Sequence, residues 1–385
     1  MHSSSAAALC ACLALAGCDG TDDATPSSTS TNSAQDAGTD AAADAAPDAS
    51  PDADSPDAAP DLTKWNPGHY VRFAGNDPLT RMGRIVDEEH VRGALLQLRW
   101  RDLEPTEDSY DLSIIEGALQ MLRPWGKHLF LLIQERSFGG DCSSVPVPDY
   151  IQQDPVYDGG FVAMTNGCVA KFWDEEVLAR LVALYGAIGS RWDGDSAFEG
   201  VVTPESSVAV ANPADRPAPE LLKETIEALA TGIHDALPQS HHIINMNWLS
   251  GGGTPTAYME EVAQHVADLG SGGVGNPDTV PCRYYGTCPS GYIPVYDIHL
   301  AFQGTIAIGP SAQTAQLEFD ETEAVFDLAV HVFEANYLFW DESFWSVDDG
   351  FIAGYLEDQV LPTLASHQGA INTACPTSLA PCANR

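Results

Sequence analysis

The amino-acid sequence predicts a (β/α)8 barrel preceded by a disordered acidic linker. Three observations carry this. Short, almost continuously apolar runs alternate with amphipathic stretches of helical length. Eight such units fit into residues 63–385 with no second linker between them, which favours a barrel over an open doubly wound sheet. Residues 19–62, by contrast, are dominated by Asp, Ala, Ser, Thr and Pro, with a single Leu and no aromatic or basic side chain. Such a segment cannot bury enough apolar surface to offset the entropy of ordering it.

The chain opens with "MHSSSAAALCACLALAGCDG", whose apolar core is too short for a permanent membrane span and reads as a secretory signal over residues 1–17. Leu15-Ala16-Gly17-Cys18 resembles the lipobox of bacterial lipoproteins. That resemblance implies acylation of Cys18, a tether over 18–62 and a place in the bacterial cell envelope. Of 55 acidic residues, 11 are tether aspartates, so 44 face 17 basic ones in residues 63–385, a net charge of −27. Phosphate binding needs a basic surface, so a nucleic-acid partner is not expected.

Nine cysteines fit export. Cys10 and Cys12 leave with the signal and Cys18 carries lipid, which leaves Cys142, Cys168, Cys282, Cys288, Cys375 and Cys382. Six cysteines allow 15 connectivities. Pairing between sequence neighbours is the expectation, each bridge closing a loop in an oxidising compartment. Their spacings are not those of a zinc site, and neither a metal nor a cofactor is expected.

The expected strands are 68–73, 93–100, 127–134, 198–203, 241–248 and 335–340, with two weaker ones at 270–275 and 304–309. Near-continuous apolar character marks strands covered on both faces. Helices are expected over 112–125, 174–192, 218–237, 257–269 and 320–334. In the sixth unit a loop over 276–297 takes the place of a recognisable helix.

Barrel active sites lie at the C-terminal strand ends. There the sequence places Arg99 and Trp100, Glu135, Glu205, Asn245, Asn247 and Trp248, Asp278, Gln313, then Trp340 and Asp341; His299 lies near strand seven. Carboxylates, amides and Trp suit glycans, because aromatic faces stack on sugar C–H faces and amides and acids bind hydroxyls. Glycoside cleavage needs two carboxyl groups, one to protonate the leaving oxygen and a nucleophile or base opposite it.

"RWRDLEPTEDSYDLSIIEGALQMLRPWGKHLFLLI" (99–133), "RWDGDSAFEGVVTPESS" (191–207) and "ANYLFW" (335–340) resemble units two to four and eight of clan A glycoside hydrolases, the β-galactosidase and cellulase-like superfamily. The resemblance implies an enzyme acting on a poly- or oligosaccharide, and a monomer is expected. It implies Glu205 as general acid/base, Trp340 as sugar platform and Arg99 as the residue orienting the nucleophile. Two positions depart from the pattern. Pro204 stands where the family has Asn. Strand seven offers Gln313 and Gln316 where the nucleophile Glu belongs, and an amide cannot do that work.

Three readings follow. The second carboxylate comes from Glu135, Asp278 or Asp341; or one of these activates water in an inverting enzyme; or the barrel binds glycan without cleaving it. Glu104 reads as structural because Pro105 fixes its turn, and His241-His242 as solvated at a strand start. "GSGGVG" (270–275) matches a dinucleotide fingerprint, but a helix precedes it and Asn276-Pro277-Asp278 follows, the wrong context.

Overall fold

The computed structural model describes residues 63–139, 142, 145–249, 256–289, 291–346 and 350–383. The expected signal, lipidated Cys18 and tether lie outside the described residues. Eight parallel strands form the barrel: β1 (Gly68–Phe73), β2 (Val91–Arg99), β3 (His128–Gln134), β4 (Phe198–Val202), β5 (His241–Asn245), β6 (Gly272–Gly275), β7 (Ala307–Ile308) and β8 (Tyr337–Asp341). Each pairs with its neighbours in order, and β8 pairs with β1. The ring closes through β7, which runs on as Ser311–Ala312. Pro310 interrupts it because proline has no N–H to donate. The ladder continues on either side: Gly309 N donates to Val274 O at 2.9 Å, and Phe339 N to Pro310 O at 3.0 Å.

Alternation along the strands builds two cores. Tyr70, Leu95, Phe130, Leu132, Val202, Ile243, Tyr337 and Phe339 fill the barrel, with Phe130 edge-on to Tyr70, Tyr337 and Phe339 at 5.0–5.2 Å. Leu96, Leu131, Val201, Ile244, Val274, Leu338 and Trp340 point the other way, into the helix layer. Burial on both faces is why these strands look uniformly apolar in sequence.

Helices Glu175–Trp192, Pro219–Ala236 and Thr256–Leu269 lie within a residue of the expected segments, while Ser113–Leu122 ends three residues early and continues as a 3-10 turn, Arg123–Trp125. Asp174 caps Glu175–Trp192 by accepting from the N–H groups of Glu176 and Val177. The final segment forms Thr322–Asp327 and then a π-helical turn, Leu328–Val332. The sixth unit corrects the expectation: Val295–Phe302 is a helix, with Val295, Tyr296, Ile298 and His299 buried. His241 and His242 are likewise buried rather than solvated.

The base of the barrel holds a polar plug. Glu199, fully buried, accepts from Asn66 N and Nδ2 at 2.8 Å each and from Tyr337 Oη at 2.7 Å. Burial pushes its carboxyl up, but the His241 and His128 imidazoles, and after them these donors, hold it below the usual range. All three neighbour disulfides form: Cys142–Cys168, Cys282–Cys288 and Cys375–Cys382. The first ties the three-stranded sheet after β3 (Arg136–Ser137, Phe161–Met164 and Gly167–Ala170) to the connection between its strands.

Candidate active site at the barrel mouth

The C-terminal end of β4 leads through Thr203 and Pro204 to Glu205. Thr203 is tied to β5 from both sides, donating its N–H to Ile243 O at 2.9 Å and accepting from Asn245 N on Oγ1 at 3.0 Å. The next turn is fixed by Asn247. Its Oδ1 accepts from the backbone N–H of Ser207 at 3.0 Å and of Trp248 at 2.8 Å. Since both backbone partners are donors, the amide oxygen must face them, and Nδ2 is left to donate to Glu205 Oε2. Asn247 is thus an orienting group for Glu205.

On the other side stands Arg136. Its side chain is 1% exposed, and Nη1 lies 3.6 Å from Glu205 Oε1. Nε and Nη2 fork onto Glu135 Oε1 at 2.9 and 2.6 Å, while Nη1 donates to Ser207 O at 2.8 Å. Glu135 is therefore engaged as the counter-ion of Arg136. Burial pushes the Glu205 carboxyl above its usual range, Arg136 and Asn247 pull it back, and the Glu135 charge adds a smaller upward push.

The remaining carboxylates differ in their surroundings. Asp341 pairs with Arg72 at 2.5 Å and accepts from Thr314 N at 3.2 Å. Asp278, after β6, is 5% exposed, and its Oδ1 is buried without a hydrogen-bond partner. Burial raises its pKa to about 7; the Glu205 charge is the next cause, Arg283 and Arg72 oppose, and Asp341 adds. Glu205, Asp341, Arg72 and Arg283 are the charges that act on Asp278. Arg283 donates to Gln316 Oε1 at 3.0 Å and lies 6.0 Å from the Trp248 ring, which is half-buried at the rim.

Several sequence-based expectations change place. Trp340 is fully buried on the outer face of β8, its indole N–H directed at His69 Nδ1 (3.3 Å), so it is no platform for a ligand in the mouth. Trp100 is also fully buried, donating to Glu104 Oε2 at 2.9 Å. His299 sits in the helix layer, its ring 5.0 Å from Phe333, and burial holds its pKa at about 3. Arg99 is at the end of β2, half-exposed and paired with Asp102 at 2.7 Å. Asn245 is buried with its Oδ1 unpartnered, and Gln313 follows the second segment of strand seven.

Arg72, Arg136 and Arg283 were not singled out from sequence. Arg72 was within reach: alternation from the inward Tyr70 puts it on the inner face of β1. Arg136 directly follows a strand-end Glu, but only folding shows that it spans two carboxylates.

No known family's sequence model matches the chain, and no curated protein does. Solved structures do. The catalytic domain of a β-amylase from Paenibacillus polymyxa superposes with a TM-score of 0.55 at 9% identity, over 72% of this chain and 92% of that one. The chain has the barrel fold of glycoside hydrolases. A β-galactosidase from the Antarctic haloarchaeon Halorubrum lacusprofundi gives a TM-score of 0.51 at 12% identity, covering 78% of this chain and 57% of that one. The likeness is one of fold.

Proposed function

We propose that this barrel hydrolyses O-glycosidic bonds of a poly- or oligosaccharide, with Glu205 and Asp278 as the two working carboxyl groups. One observation carries the reading. Two carboxyls stand at the ends of β4 and β6, one strand apart, and the charge of Glu205 raises the pKa of the buried Asp278. A pair whose members hold their protons with different strength is what glycoside cleavage needs: an acid for the leaving oxygen and an anion opposite. Glu135 and Asp341 are occupied by Arg136 and Arg72. Trp248 and Arg99 at the rim, with Asn245 below, supply a stacking face and polar groups for sugar hydroxyls. The three disulfides and the Leu-Ala-Gly-Cys motif support an extracytoplasmic, lipid-anchored protein.

A second reading, glycan binding without cleavage, is favoured by Gln313 at the strand where the resembled family carries its nucleophile. Reducing-end release from plant, algal and bacterial polysaccharides separates the two. Cleavage by the wild type, with losses of about 10²-fold or more in both Glu205→Gln and Asp278→Asn, is the expected result. Retention of a polysaccharide with no release by the wild type would sink the hydrolytic reading.

A further inference from the structure

The two carboxyls are not equivalent, and their partners assign their roles. We propose that the proton of the pair resides on Asp278 and that Glu205 is the carboxylate opposite it. The residue after β6 is then the general acid, and the residue after β4 the nucleophile or base. This rests on the hydrolytic reading above. It reverses the role that the resemblance assigns to Glu205.

Both side chains that hold Glu205 are donors, set against burial and the Glu135 charge, which push its carboxyl up. Arg136 cannot turn away, since Glu135 and Ser207 O hold three of its nitrogens. Asn247 cannot turn its oxygen towards Glu205, because two backbone N–H groups claim that oxygen. A cation and a fixed amide N–H both favour the ionised form.

Asp278 has the opposite setting. Its Oδ1 is buried and unpartnered, which is costly for an anion and mild for a neutral acid. Of the charged groups facing it, Glu205 and Asp341 disfavour ionisation, and Arg72 is turned to Asp341 at 2.5 Å. Arg283 is the remaining cation, stacked near Trp248. The Asp278 carboxyl, raised to about 7, holds its proton into the neutral range, while the fixed donors around Glu205 favour its anion.

The chemistry balances. The glycosidic C–O bond breaks with its electron pair on the leaving oxygen, which takes the Asp278 proton. Water supplies the oxygen that ends on the anomeric carbon, either directly or after a Glu205 ester. The second proton of that hydrolysis returns to the carboxyl pair, which ends with one proton as it began.

Carboxyl-carbon NMR of the full chain labelled with [¹³Cγ]Asp tests the assignment, the Asp278 signal being the one missing from Asp278→Asn. The expected midpoint lies near 7, falling by a unit or more in Glu205→Gln. A midpoint in the ordinary Asp range, or one indifferent to Glu205→Gln, overturns the proposal. A second arm uses dinitrophenyl glycosides, whose leaving group needs no proton. Asp278→Asn is expected to lose less than about 10-fold there while losing about 10²-fold on polymer, and Glu205→Gln to lose heavily on both. The reverse pattern refutes the roles. Absence of hydrolysis in the wild type would remove the enzymatic reading alone, since the NMR midpoint still locates the proton.

Discussion

Replacing Asp278 by Asn removes an acid that the folded protein holds away from water at a cost. The carboxyl goes from an ordinary 3.8 to about 7 on folding. For an acid with a raised folded value, the native state binds the extra proton between these two pH values. Stability is therefore fully present below 3.8 and is lost as pH rises towards 7. The full loss is about 4 kcal/mol, from roughly 1.4 kcal/mol per unit over the shift. At pH 5 less than half of it has been lost. Asn is nearly isosteric with the neutral acid and carries no such term. Asp278→Asn should thus gain on the wild type by roughly 2–3 kcal/mol more at pH 8 than at pH 5. Urea unfolding followed by tryptophan fluorescence at both pH values measures this, and packing costs of the substitution cancel in the comparison. An equal stability difference at pH 5 and pH 8 would refute the reasoning, because it would mean that Asp278 ionises as easily in the fold as in the unfolded chain. The expected gain accompanies loss of activity, as at sites where function and stability compete.

Buried imidazoles set an acid limit. Burial holds His69 at about 4 and His242 and His299 at about 3. Each stays neutral in the fold while the unfolded chain takes a proton below about 6.5, so stability falls as pH drops through that value, by about 2 kcal/mol per ring at pH 5. His299→Leu should lose about 2 kcal/mol less than the wild type between pH 8 and pH 5; an unchanged loss in urea titrations would show that the ring is not held neutral. At the barrel base, Tyr337→Phe deletes the 2.7 Å hydrogen bond to the Glu199 carboxylate and should cost about 1.5–3 kcal/mol in the urea midpoint. A change under about 0.5 kcal/mol would mean that Glu199 is satisfied without it.

Much of the architecture is written in local pattern. β1 matches its expected run, and the helix Glu175–Trp192 its amphipathic stretch, because apolar spacing and an Asp N-cap act within a few residues. The cysteine neighbours pair as expected, since short loops keep their ends close. The helix Val295–Phe302 escaped because its eight residues follow a stretch broken by Pro281, Pro289, Gly291 and Pro294, whose turn signals mask a short periodic segment.

The candidate site divides the same way. The sequence by itself determined which acids and amides would stand at strand ends, because strand order and the chain's alternation place them there. It could not determine which way a residue in an uninterrupted apolar run faces: Trp340 and Phe339 are both large and aromatic, and only the β8 register sends one outwards and the other into the barrel. Nor could it rank the carboxylates. Acidity depends on burial and on charges brought together from distant parts of the chain, and these decide that Glu135 answers Arg136, Asp341 answers Arg72, and Asp278 is left facing Glu205.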